Sequence, residues 1–475
     1  MKNILILLSI VLAFSCSNKK TDKNDLAEQI DNYMQAKVEF NNFSGAILVA
    51  RNDSIILQKG YGLADREWNI ANTTDTKFHI ASNTKQFTAA CILQLEEQGK
   101  LSLNDKLSKY FKGFEYGDTV TIQMLLTHSS GIQDYYNFEM FSNLRPLSIS
   151  KDSMVGIFKK QLFDYLPGTD IIYSNSGYFL LGLIIEKVSG QSYEAYVTQH
   201  IFKIAGMKNT GIDRYDTILP KRAKGYQISA TGITNAFDEN YRIGTQFAVG
   251  SIYSTVEDLY KYDRALYGNS LLNESSKKKM FYPYGYAISQ EKRKQDPSNT
   301  SPQNMDPIWL NLGYGVWVDT FLTHKRIFSR GFNFGFKSTI YRFVDDNICI
   351  IVLQNNEENP DAIAEPLSAM VFGQDVTIPY KHTPYKINSE VLKKYTGKWV
   401  GNINGEKWTI ETLIKDNKFF RRIEGTDDLE LIPESETKFF YSDGQDKVFT
   451  FSQDGTQSWF AINGLKYKME RIKNY

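Results

Sequence analysis

The sequence predicts an α+β domain, an antiparallel sheet flanked by helices with a helical subdomain, followed by a small all-β barrel-like domain. Three observations predict it. Strand-like apolar runs stand far apart, at residues 45–50 and 348–353. Between them, the stretch from Leu101 to about Gly244 reads mostly as helix and loop. Beyond about Pro384, short apolar runs alternate with turn signals. Strands at both ends with helices between them imply a sheet closed by distant parts of the chain.

Met1-Lys2-Asn3 gives a positive start, and Ile4 to Phe14 gives an apolar stretch. That stretch is shorter than the ~20 residues a membrane-spanning helix needs. It ends in Ala13-Phe14-Ser15-Cys16, similar to a lipobox, in which the leader is cut before the cysteine and Cys16 is lipidated. The expectation is a signal peptide at 1–15, a tether at 16–34, the α+β domain at 35–380 and the barrel at 386–475. An exported protein on a membrane anchor follows, in the periplasm or at the cell surface; a plain secretory signal is the alternative.

Gly45 to Ala50, Asn52-Asp53 and Ile55 to Leu57 read as strand, turn, strand. Phe78 to Gly99 reads as a turn entering a helix, with Phe87, Ala90, Cys91, Leu93 and Leu95 apolar. Ser338 to Arg342 and Ile348 to Leu353 are further strand candidates, and Gln290 to Asp306 reads as a surface loop. In the last domain Trp408 to Glu411, Phe439 to Tyr441, Val448 to Phe451 and Trp459 to Ile462 are strand candidates. They lead to the turn signals Asp416-Asn417, Asp443-Gly444, Asp454-Gly455 and Asn463-Gly464.

The formal net charge of +1 over 475 residues, with no long basic run, argues against a nucleic-acid partner. The three cysteines form no disulfide framework: Cys16 belongs to the leader, and Cys91 and Cys349 read as buried small hydrophobes. His79, His128, His200, His324 and His382 lack metal-site spacing, so no metal and no cofactor is expected.

Ser82-Asn83-Thr84-Lys85 puts a hydroxyl and an amine on one helix face, beside free N–H groups at the helix start. Alone, Ser82 reads equally well as an N-cap. Tyr173-Ser174-Asn175 offers a phenol for proton transfer and an amide for a substrate carbonyl. Alone, Tyr173 reads equally well as core. The order of motifs changes the reading: Ser82-x-x-Lys85, Thr127-His128-Ser129-Ser130-Gly131, Pro167-Gly168, Tyr173-x-Asn175, and Gly250 to Thr255 running on to Asp258-Leu259.

This set resembles the serine β-lactamase and penicillin-binding-protein superfamily, in the branch of class C β-lactamases, DD-peptidases and related esterases, over about residues 35 to 375. The resemblance implies a serine hydrolase in which Ser82 forms an acyl-enzyme while Lys85 and Tyr173 share the acid and base work. Asn175 would bind substrate. His128 would be a structural turn. The family's third motif, Lys-Thr-Gly or His-x-Gly, aligns with Ser329-Arg330-Gly331, so Ser329 replaces the cation or imidazole. On this alignment Ser329 and Gly331 face the site, and the Phe332 N–H joins that of Ser82 as an oxyanion donor. The barrel, with Leu392-x-x-Tyr395-x-Gly397, resembles the lipocalin-like domain appended to many members. The expected partner is a small ester, amide or peptide. Two other readings stay open: a non-catalytic binding protein on the same fold, and a glycan-binding protein built on the aromatic barrel. Oligomeric state is not readable.

Overall fold

The apolar run Ile348-Cys349-Ile350-Ile351-Val352 forms one of the two central strands of a six-stranded antiparallel sheet. The computed structural model describes residues 23–138, 149–214, 216–229, 231–236, 243–285, 287–288, 310–403, 405–443 and 446–472. The leader with Cys16, the loop from Gln290 to Asp306 and the glycine of the Asp443-Gly444 turn lie outside the described residues.

Across the sheet the strands run Trp317–Phe321, His324–Asn333, Phe336–Phe343, Ile348–Gln354, Gly45–Arg51 and Ser54–Tyr61. The two ends of the domain meet at the centre, where Ile47 pairs with Val352 and Val49 with Ile350. Period-two alternation then sorts the side chains. Leu48, Ala50, Cys349, Ile351 and Leu353 join the core on the helical side. Ile47, Val49, Ile348, Ile350 and Val352 join the core on the other side, with helices Lys23–Asn41 and Asp361–Val371. Cys91 and Cys349 are both buried free thiols.

The expected tether at 16–34 is corrected from Lys23 onward. Helix Lys23–Asn41 buries Leu26, Ile30, Tyr33, Met34 and Lys37, a stripe at helical spacing. Polar residues between these positions masked the stripe.

Residues 374–388 carry no regular structure and lead to the barrel, in which eight strands from Gly397–Ile403 to Leu465–Arg471 close on themselves. Its interior is filled by Trp399, Phe419, Phe439, Phe449, Phe451 and Phe460. Asn463 and Gly464, at φ +53° and +81°, make the tight turn that Asn-Gly suits. That turn docks the barrel. The Thr377 N–H donates to the Gly464 carbonyl at 2.9 Å, and Lys37 meets Asp446 at 3.4 Å. Leu465 enters the core around helix Lys23–Asn41. The docking edge is therefore on the sheet face away from helix Thr84–Glu97.

Candidate active site

Ser82 sits in a short 3₁₀ turn, Ala81–Asn83, that runs into helix Thr84–Glu97. The turn begins under strain, with Ala81 at φ +48°. Its N–H donates to Nδ1 of buried His79 at 3.2 Å. The same ring nitrogen lies 3.2 Å from the Asn333 amide, so His79 ties the turn to the third-motif strand. Burial, reinforced by the Arg222 charge, lowers the His79 pKa to about 4, so the ring is neutral.

One helical turn after Ser82, Lys85 is buried with its amine toward the hydroxyl. Lys85 Nζ donates to Ser82 Oγ at 3.1 Å, to Asn175 Oδ1 at 2.9 Å and to the Val249 carbonyl at 2.9 Å. Three acceptors use all three protons of an ammonium. A neutral amine keeps two protons for Asn175 and Val249, and its lone pair is left facing Ser82. Burial brings the Lys85 pKa down to about 7, against an opposing pull from Asp134.

Tyr173 OH donates to Ser82 Oγ at 2.8 Å. Burial raises its pKa, as does the Asp134 charge, while the Ser82 bond opposes them. The nearby cation does not produce a phenolate; Tyr173 stays a phenol and Lys85 is the group poised to accept a proton. His128 holds this arm in place. Its Nδ1 accepts the Ser174 N–H at 3.0 Å, and its ring stacks on Tyr173 at 4.5 Å. Burial and the Lys85 charge hold His128 at about 3, which suits a spacer and not a base.

Asn175 starts helix Asn175–Ser189. Its amide is engaged at both ends, by Lys85 and by Asp134 Oδ2 at 2.8 Å. The expected role of holding substrate therefore competes with two internal bonds.

The third motif differs most from expectation. Gly331 does come close to the nucleophile turn: a Cβ there would stand 2.0 Å from the Ile80 carbonyl oxygen. Strand Trp317–Phe321 pairs with its neighbour only up to Phe328, so residues 329–333 have one edge unpaired by strand. Phe332 lies on that edge and is more than half exposed. Ser329, however, does not offer its hydroxyl to the site. It is buried, donates to Asn83 Oδ1 and accepts from Gln86 Nε2 at 2.9 Å. Its short side chain is satisfied by the nucleophile helix packed against it. Asn83 also donates to Ser338 Oγ at 2.7 Å, which in turn donates to the Ile80 carbonyl at 3.0 Å. Arg330 pairs with Asp361 at 2.5 Å on the opposite face of the sheet. Lys337, strand partner of Phe332, lies 5.4 Å from that ring.

The structure thus brings Ser82, Lys85, Tyr173 and Asn175 together, sets Gly331 and Phe332 beside them, and draws Ser329 inward. Sequence reasoning missed Asn83, Gln86, Asp134, Val249 and His79. Val249 had a signal, since it directly precedes the Gly250 to Thr255 motif.

Comparison with known proteins agrees with this geometry. The Beta-lactamase family matches residues 30–371, and the chain belongs to that family. PbpX of Bacillus subtilis (strain 168) is 36% identical over 265 residues, 56% of this chain and 63% of that protein, less than two thirds of its length. Penicillin-binding protein 4* of the same organism is 28% identical over 95% of this chain and 100% of its own length. The octameric penicillin-binding protein homologue from Pyrococcus abyssi superposes with a TM-score of 0.64 at 25% identity, covering 93% of this chain and 99% of that one.

Proposed function

We propose that this member of the Beta-lactamase family is an acyl-enzyme hydrolase that prefers uncharged esters or amides to substrates bearing a carboxylate. The observation that carries the reaction is Ser82 Oγ held between Lys85 Nζ at 3.1 Å and Tyr173 OH at 2.8 Å. Ser82 Oγ attacks the carbonyl while its proton passes to neutral Lys85. The developing oxyanion is met by backbone N–H groups, for which those of Ser82 and Phe332 are our candidates. Tyr173 relays the proton from Lys85 to the leaving group, and water then releases the acyl group by the reverse path.

The observation that carries the preference is buried Ser329, spent on Asn83 and Gln86. A carboxylate would find no charge-assisted partner there, a loss of about 1 kcal/mol or more relative to an ionic bond. Penicillin-binding protein 4* is named for penicillin binding; for this chain we expect turnover of penicillins and cephalosporins to be weak. The test compares kcat/KM for a short-chain nitrophenyl ester and a chromogenic cephalosporin. Higher values for the ester support the preference; efficient cephalosporin hydrolysis overturns it.

The lipobox-like Ala13-Phe14-Ser15-Cys16 supports a place outside the cytoplasm on a lipid anchor. Replacing Cys16 with Ser is expected to move the protein from the membrane to the soluble fraction. Wild-type protein already soluble after export refutes the anchor.

A further inference from the structure

Asp134 is a buried carboxylate beside the candidate active site with no role in the steps above. Its two oxygens do different things. One accepts the Tyr136 N–H at 3.1 Å and caps the short turn Tyr135–Asn137. The other accepts Asn175 Nδ2 at 2.8 Å. An amide has one acceptor and one donor end. Lys85 needs the acceptor and Asp134 needs the donor, so only one orientation of Asn175 satisfies both. The segment is anchored independently as well: Ser176 Oγ accepts the Tyr135 N–H at 3.0 Å and donates to the Gln133 carbonyl at 2.6 Å.

We propose that Asp134 is a positioning residue for acyl transfer: it locks the Asn175 amide so that Oδ1 holds Lys85 Nζ against Ser82. The proposal rests on the acyl-enzyme reading above. The groups facing Lys85 are Ser82 on its own turn, Tyr173, Asn175 and Tyr178 at the start of helix Asn175–Ser189, His128 behind Tyr173, and Asp134. Among them Asp134 is the carboxylate, and its charge opposes the loss of the Lys85 proton. Removing that charge moves Lys85 further toward the neutral form, so the acid limb of the pH profile shifts to lower pH. The displaced amide meanwhile lets Lys85 wander from Ser82, so kcat falls.

Asp134→Asn separates this role from capping. It retains an oxygen for the Tyr136 N–H and sets an NH₂ against the NH₂ of Asn175. We expect kcat for the nitrophenyl ester, and the rate of Ser82 labelling by a fluorophosphonate probe, to fall about 10²-fold, the usual scale for a misplaced reacting group. KM changes little, the melting temperature is near wild type, and the acid limb moves down. Asp134→Ser, which can cap but cannot reach Asn175, gives the same loss. Combining Asp134→Asn with Asn175→Ala costs little more than Asn175→Ala alone. A normal kcat and acid limb with only a lowered melting temperature overturns the proposal, as do fully multiplicative losses in the double variant. Wild-type protein that does not label at Ser82 overturns the acyl-enzyme reading and this proposal with it; labelled wild type with unaffected Asp134→Asn overturns this proposal alone.

Discussion

Inside the barrel the inward positions are mostly aromatic and aliphatic, with Thr412, Arg421 and Ser458 as buried polar exceptions, and its sharp Asn463-Gly464 turn uses residues that tolerate positive φ. Around Ser82 the buried positions include the polar Asn83, Thr84, Lys85, Gln86, Ser329 and Ser338, and the sharp turn falls on Ala81. The barrel is held by burial of apolar surface, which is non-directional. The nucleophile turn is held by hydrogen bonds whose donors and acceptors must all be matched, because an unpaired polar group at such a place costs about 1–3 kcal/mol. The first region tolerates exchange of similar side chains. The second does not, and it holds the candidate catalytic residues.

The largest test of this contrast removes the nucleophile. Ser82→Ala is expected to abolish probe labelling and cut turnover roughly 10⁴-fold or more, with little change in melting temperature. Substantial residual turnover would transfer the role to another residue. Next come the proton handlers. Lys85→Ala and Tyr173→Phe are each expected to lose about 10²-fold or more, and the double variant far less than the product of the two. In the unaltered protein the acylation rate should rise with pH through about 7, where the depressed Lys85 pKa places loss of its proton, and then level off. A flat profile across that range contradicts Lys85 as base.

The smallest effect on activity is expected from the barrel. Trp399 is fully buried, with its indole N–H on Thr412 at 2.9 Å. Trp399→Ala should cost about 3–5 kcal/mol of barrel stability. Calorimetry and hydrogen exchange should locate that loss in residues 397–471, while Ser82 labelling below the melting transition stays normal. A matching loss of labelling would mean that the two regions are coupled through the docking at Lys37 and Asp446.

Much of the molecule was legible in the chain itself. The central strands are continuous apolar runs, so they could be placed by inspection, and the Asn-Gly turn marked its own hairpin. Ser82, Lys85, Tyr173 and Asn175 were legible because helical spacing and motif order confine them. Helix Lys23–Asn41 was not, because its apolar residues are interleaved with charged and polar ones and its first residues continue the polar segment after Cys16.

The sequence by itself determined the fold class and the closure of the sheet by its two ends, and it named Ser82, Lys85 and Tyr173 as candidates for the catalytic roles. Hydrophobic period marks each strand and helix locally, whereas the three candidates are drawn together by the order of motifs along the chain and its resemblance to a known family. Only the tertiary structure decided where Ser329 turns, which carbonyl holds Lys85, and what fixes the Asn175 amide. Those answers join residues 41 to 246 positions apart. A hydrogen bond between such residues leaves no periodic trace in the chain, and its direction depends on which donor meets which acceptor once the sheet and helices have packed.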